Sequence, residues 1–337
     1  MFRTIMKIVG RFFVIGVIFA VFFGAFGLLA IKHIYYGASP AARDLVVSSV
    51  METMQGRFLA RWFMSDEQIT YILSGQDKLD FTPDSPETED EDIPVIEIVT
   101  EIPPETKADV ILEDIKGSTY KGKILIVSDP SRVSVLTSYP FEENGRGEKL
   151  LDMAKQSGSL AAINGGAFLD RGGDMPMGIT ISHGELLFGE PDTEYNIIGF
   201  DSDNVFIVGR MTAQAALNAG IRDAVSFSPI LIKDGVAQNV SRYSSGLNPR
   251  TAIGQRADGA VLLLVIDGRQ PHSLGANYQD MIDIMLDYGA VNAATLDGGS
   301  SSVMVYENEI ITSCSSFYGP GRIPTCFAVS YPEGFDE

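Results

Sequence analysis

Residues 12–30, FFVIGVIFAVFFGAFGLLA, carry no charged side chain. Extended by Ile31 and wound as a helix, this run is long enough to cross the ~30 Å hydrocarbon core of a bilayer at ~1.5 Å per residue. A secretory signal would have a shorter apolar core followed by a small-x-small cleavage site, and the nearest candidate, Tyr36-Gly37-Ala38-Ser39, is weak. A buried core helix would show an amphipathic rhythm or polar flanks inside the segment, and neither is present. The expectation is therefore an uncleaved anchor over 12–31 in contact with lipid. Arg3, Lys7 and Arg11 precede it, whereas Lys32 is the only nearby cation beyond it before Arg43. That asymmetry predicts a cytoplasmic tail over 1–11 and places the remainder of the chain outside the cytoplasm.

Beyond the anchor the chain changes character twice. Ser39-Pro40 reads as a cap and a first-turn proline, and Val47, Val50, Met51, Met54, Phe58 and Trp62 recur at helical spacing, which predicts a juxtamembrane helical segment over 39–75. Within it, Ser65-Asp66-Glu67-Gln68 has the capping-box pattern that begins a second short helix. From 84 to 105 there are nine acidic residues, four prolines and no Lys or Arg, so 76–106 is expected to be a solvated, self-repelling linker. Those nine residues carry nearly half of the net charge of −19. The balance elsewhere is that of a soluble domain surface. Clustered Lys and Arg for neutralising phosphates are lacking, which argues against nucleic acid as a partner. Cys314 and Cys326 are the only two cysteines, compatible with one disulfide or with two separate thiols.

From about residue 107 short apolar runs alternate with glycine-rich turns, at 123–128, 133–137, 161–163, 179–182, 197–200, 205–208, 260–266 and 293–296. These read as strands. The clearest helix steps through Tyr278, Met281, Ile282, Met285 and Leu286 behind a cap at Asn277. Strands with few, segregated helices predict a single α+β, mixed-sheet domain over 107–333.

Four strand ends break into glycine and polar residues: Asn164-Gly165-Gly166-Ala167-Phe168, Asn248-Pro249-Arg250-Thr251-Ala252-Ile253-Gly254, Asp267-Gly268-Arg269, and Asp297-Gly298-Gly299-Ser300-Ser301-Ser302. One such turn is ordinary, since glycine supplies positive φ wherever a chain reverses. Four of them, offering two arginines, two aspartates and an asparagine, suit an anionic, hydroxyl-rich ligand. The signatures of a G-x-S-x-G elbow, a P-loop and a G-x-G-x-x-G dinucleotide fold are absent. With three histidines in the whole chain, a histidine-rich metal site is excluded.

In their residues and their order these four motifs resemble the phosphodiester glycosidases related to the lysosomal uncovering enzyme. The resemblance extends over 107–331, with Ser300 where the family commonly has a third glycine and Ala167 where a bulkier residue or glycine is frequent. It implies hydrolysis of the bond between an anomeric carbon and phosphate in a sugar-1-phosphate diester, on envelope glycans or exopolysaccharide. Phosphate leaves readily, so one carboxylate with cationic clamps suffices where an ordinary glycosidase needs two carboxyl groups. On that reading Asp297 is the first choice for nucleophile or base and Asp267 the second, while Arg250 and Arg269 hold phosphate oxygens as planar forks. Asn164 and Thr251 would hydrogen-bond phosphate or sugar hydroxyls. Gly165, Gly166, Gly298 and Gly299 would let backbone N–H groups approach, with Ser300 and Ser301 beside them. No cofactor is expected, and a divalent cation stays open as the alternative in which Asp267, Asp297 and Asn164 are oxygen ligands. A non-catalytic module binding phosphate-linked glycans is the other alternative.

Overall fold

The structure is a computed structural model that describes residues 2–37, 39–51, 57–74, 110–143, 145–169, 173–241, 243, 246–316 and 318–332. The chain divides into two compact units, one ending at Gly75 and one beginning at Gln76. The linker expected over 76–106 lies outside the described residues, as does Met54.

The first unit is helical. Helix α1, Phe2–Tyr36, contains the candidate span Val14–Tyr36, 23 residues whose most apolar 18-residue window has a mean hydropathy of 2.7. Its length and composition fit a membrane crossing, a test that an N-terminal signal sequence also passes. Three shorter helices follow: α2, Pro40–Met51; α3, Arg57–Phe63; and α4, Asp66–Ser74. The capping box at the start of α4 is reciprocal. Gln68 N donates to Ser65 Oγ at 3.2 Å, and Ser65 N donates to Gln68 Oε1 at 3.1 Å. Tyr35, Val47, Ala60, Met64, Ile69 and Ile72 close a small core among the four helices. The expected stripe from Val47 to Trp62 is divided: Val47 is buried, whereas Phe58 and Trp62 point outward. Val47 lies on α2, and Phe58 and Trp62 lie on α3.

The second unit is α+β. Its strands form three sheets, and every described pairing of strands is antiparallel. The largest runs in the order Val110–Lys116, Lys121–Val127, Val261–Ile266, Arg250–Arg256, Ala290–Leu296, Ile230–Lys233, Val236–Ala237. A second sheet has Ser159–Asn164 between Met304–Tyr306 and Thr325–Ser330, with Glu309–Ile310 and Val133–Thr137 at its edges. The third is built on Glu194–Asp201, Phe206–Thr212 and Ile221–Val225, extended by Thr180–Ser182 and Glu185–Phe188.

Period-two alternation decides how the sheets pack. In Val261–Ile266, Leu263 and Val265 face a central core shared by all three sheets, with Ile163, Phe200, Phe206 and Phe327. Leu262, Leu264 and Ile266 face the other way, against Met281, Ile282 and Met285 of helix α7, Tyr278–Asp287. Asn277 caps α7 in a complete capping box with Asp280, which satisfies N–H groups at the helix start. Helix α5, Leu150–Gln156, covers the outer face of the second sheet, and α6, Ala213–Asn218, that of the third. Burying both faces of the Val261 strand explains its unbroken apolar run, VLLLVI. Cys326 and Cys314 are both free thiols, and burial pushes the Cys326 thiol up to about 12.

Candidate functional site

Antiparallel pairing brings the turns together. Arg250–Arg256 lies between Val261–Ile266 and Ala290–Leu296, with Arg250 opposite Ile266 and Thr251 opposite Leu296. The start of one strand therefore adjoins the ends of its two neighbours, where Asp267 and Asp297 stand. The approach is close: a Cβ on Gly268 would fall 2.7 Å from Pro249 Cδ and 2.8 Å from the Asn248 carbonyl carbon. Gly268→Ala is expected to cost about 1–3 kcal/mol of unfolding free energy, the scale of overpacking. A denaturant midpoint equal to that of the parent chain would contradict this contact.

The fourth turn arrives from the second sheet. Asn164 is 1% exposed at the end of Ser159–Asn164, and its amide is heavily engaged. Nδ2 donates to the Asp297 carbonyl at 2.6 Å, while Oδ1 accepts from Thr251 Oγ1 at 2.8 Å and from Val303 N at 3.3 Å. Asp297 N in turn donates to the Gly165 carbonyl at 3.1 Å. Both lone pairs of Oδ1 are thus used inside the protein, and the side chain ties the two sheets at the Asp297 turn. Gly165 and Gly166 are buried beneath it. A Cβ on Gly165 would lie 2.5 Å from Thr325 Oγ1, and Gly166 N donates to that same hydroxyl at 3.1 Å.

The two sides of the large sheet receive different groups. Thr251 faces the central core and Asn164, whereas Arg250, one residue earlier, lies on the α7 side. The Arg250 guanidinium stacks 4.0 Å from the Tyr278 ring centroid. Its Nη2 donates to the Gly246 carbonyl at 3.1 Å and its Nε to that of Ala276 at 3.3 Å. Arg269 occupies left-handed backbone at φ +56 and turns back over the sheet end, donating from Nη2 and Nε to Asn248 Oδ1 at 2.8 and 3.2 Å. Its Nη1 passes 3.3 Å from where a Cβ of Gly299 would sit, at φ +65. Gly299 N donates to the Pro249 carbonyl at 2.9 Å. The Asp297-Gly298-Gly299 turn therefore bridges the sheet end, fastened to Asn164 and Gly165 on one side and to Pro249 on the other.

Asp267 is held separately. Its Oδ1 accepts from Ser313 N at 2.8 Å, and its Oδ2 lies 3.6 Å from His272 Nε2, with the imidazole 43% exposed. Ser300 is exposed and Ser301 half-buried on the short 3-10 turn Gly299–Ser301. Ser302 turns inward, 3% exposed, and its hydroxyl has no partner among the described residues. The 312–316 segment forms one wall: Gln270 Nε2 donates to the Cys314 carbonyl at 2.9 Å, and Cys314 Sγ lies 3.5 Å from the Ser300 carbonyl. Among the described residues no three His, Cys, Asp or Glu side chains gather as a metal-binding group.

Sequence reasoning missed Asn248, Thr325 and Ser313 as participants. Asn248 stood inside a recognised motif, and a buried asparagine before a proline was the available signal. Thr325 and Ser313 had none, being brought in from strands and loops far along the chain.

The class that the fold defines is an α+β domain of three antiparallel sheets in which the Asn164, Pro249 and Asp297 turns are fastened together where strands of two sheets meet. The sequence profile of the phosphodiester glycosidase family matches residues 157–330, and the chain belongs to that family. It is 31% identical over 207 residues to the SPbeta prophage-derived uncharacterized protein YomE of Bacillus subtilis, covering 58% of this chain and 32% of YomE. It is also 24% identical over 205 residues to the Bos taurus N-acetylglucosamine-1-phosphodiester alpha-N-acetylglucosaminidase, covering 54% of this chain and 38% of that protein. The chain thus spans well under half the length of these relatives. The catalytic domain of the zebrafish enzyme of that name, auto-inhibited by its pro-peptide, shares the fold with a TM-score of 0.58 at 24% identity, over 66% of this chain and 82% of that one.

Proposed function

We propose that the chain hydrolyses a sugar-1-phosphate diester to free sugar and a phosphomonoester, acting on envelope glycans or exopolysaccharide from a membrane-anchored, extracytoplasmic position. The observation that carries this reading is the Asp297 turn, locked between Asn164 and Pro249 with the Arg269 guanidinium beside Gly299. In the reaction the anomeric carbon–oxygen bond breaks and the phosphate departs with the bonding pair. Asp297, on a main chain that its neighbours hold fixed, acts either as the base that takes a proton from a water attacking the anomeric carbon or as the nucleophile whose glycosyl ester a water then cleaves, so that the water oxygen ends on the free sugar. Arg269 and Arg250 supply positive charge where the departing phosphate gains negative charge, and both are immobilised by hydrogen bonds or stacking before substrate arrives. Asp267 is the second carboxylate, and His272 beside it offers a proton relay to water. Asn164 and Thr251 serve the site by positioning the Asp297 turn, since their polar atoms bond one another and the backbone. Arg3, Lys7 and Arg11 ahead of the uncharged run of α1, and the scarcity of cations after it, support a cytoplasmic N-terminus.

The test is turnover by the detergent-solubilised full chain on a panel of sugar-1-phosphate diesters, with free reducing sugar as the readout. Release of sugar is expected, and it should persist in excess chelator. Binding of the diesters without release would replace the hydrolase by a glycan-binding module. Activity abolished by chelator and restored by a divalent cation would replace it by a metal-dependent phosphodiesterase.

A further inference from the structure

Helix α3 presents an aromatic face that nothing among the described residues of its own unit covers. Phe58 is 49% and Trp62 66% exposed, one helical turn apart, and their rings meet edge to face with centroids 5.0 Å apart. The opposite face, Ala60 with Met64 just beyond the helix end, is buried in the small helical core. Arg57 and Arg61, also exposed, each precede one of the rings along the helix. Arg57 donates from Nε to the Met51 carbonyl at 3.0 Å and Arg61 Nε lies 3.5 Å from the exposed Asp66 carboxylate, which leaves the Nη groups of both to face lipid phosphates. Two exposed large rings are an expensive surface to leave in water, at ~25 cal/mol per Å² of apolar area.

Their height relative to α1 is fixed by contact. The Phe63 ring stacks on Tyr35, with centroids 5.5 Å apart and planes 13° from parallel, and the Tyr36 hydroxyl donates to the Phe63 carbonyl. Tyr35 and Tyr36 are the last residues of α1, just past Lys32 and His33, which follow the uncharged run ending at Ile31. If that run crosses a bilayer, α3 is pinned at the level where hydrocarbon gives way to headgroups. There Trp and Phe are stabilised, and Arg side chains reach outward to lipid phosphates.

We infer that α3 is an interfacial helix that inserts Phe58 and Trp62 between the lipid headgroups at the C-terminal end of the α1 span, with Arg57 and Arg61 on lipid phosphates. This rests on α1 being retained as an anchor, and it makes the attachment two-part: a span that holds the chain in the membrane and a short helix that fixes the orientation of the unit at the surface. The hydrolytic reading is independent of it.

Trp62 is the only tryptophan in the chain, so its fluorescence reports this helix alone. The full chain is reconstituted in nanodiscs of phosphatidylcholine and phosphatidylglycerol, with bromine on the acyl chains either near the glycerol or near the bilayer midplane. Blue-shifted emission is expected, with most of it lost to the shallow label, little lost to the deep label, and weak quenching by aqueous iodide. Phe58→Asp should shift the emission to the red and raise iodide quenching while leaving sugar release unchanged. Emission untouched by either lipid label and fully open to iodide, in a chain that does enter the discs, would overturn the inference and leave the anchor standing. Protection from iodide without lipid quenching, growing with the number of chains per disc, would overturn it in favour of a second copy covering the rings. Failure of the chain to enter discs would remove the anchor and this inference together.

Discussion

Asp297→Asn lowers kcat/KM for a sugar-1-phosphate diester by about 10² to 10⁴-fold, the range spanned by a lost general acid–base group. The exchange keeps the side chain's shape and removes only its charge and basicity. The Asp297 main chain keeps its bonds to Asn164 Nδ2 and the Gly165 carbonyl, so the turn stays in place. Binding of a non-hydrolysable diester should change far less than turnover, because a group acting on the reacting carbon contributes mainly in the transition state. Asp267→Asn is the matched control. Its carboxylate is engaged by Ser313 N and faces His272 at 3.6 Å, and a smaller loss with an altered pH profile is expected there. A larger loss for Asp267→Asn than for Asp297→Asn would exchange the two roles.

Asn164→Ala is expected to lower the unfolding free energy by about 3–5 kcal/mol, measured from the denaturant midpoint at unchanged slope. The amide makes three bonds at a position 1% exposed, and truncation strands the Asp297 carbonyl, the Thr251 hydroxyl and the Val303 N–H. Each buried group left unsatisfied costs about 1–3 kcal/mol. Turnover should fall as well, because the Asp297 turn loses its tie to the second sheet. A loss below about 1 kcal/mol, the net worth of one ordinary hydrogen bond, would mean that Asn164 does not tie the sheets together.

These two variants separate what was legible in the residues from what was not. Each of the eight apolar runs overlaps a strand, and the α7 stripe behind Asn277 lies on a helix, because both signals are periodic and local. The strands Val110–Lys116 and Ile221–Val225 gave weaker signals, being interrupted by charge, and they owe their conformation to partners across the sheet. The four polar turns were recognisable from glycine spacing. Their convergence was not, since it depends on Arg250 pairing with Ile266 and Thr251 with Leu296 across long separations.

By itself the sequence determined an apolar stretch long enough to span a bilayer, an α+β domain after an acidic segment, and the membership of Asn164, Arg250, Asp267 and Asp297 in one set of motifs. Only the tertiary structure decided which face of the sheet each of them takes and what it touches. Adjacent residues of a strand point to opposite faces, so Arg250 went to the α7 side with Tyr278 while Thr251 went inward to Asn164. Which groups wait on each face is a matter of sheet order, and that order is set by long-range pairing that no local pattern encodes.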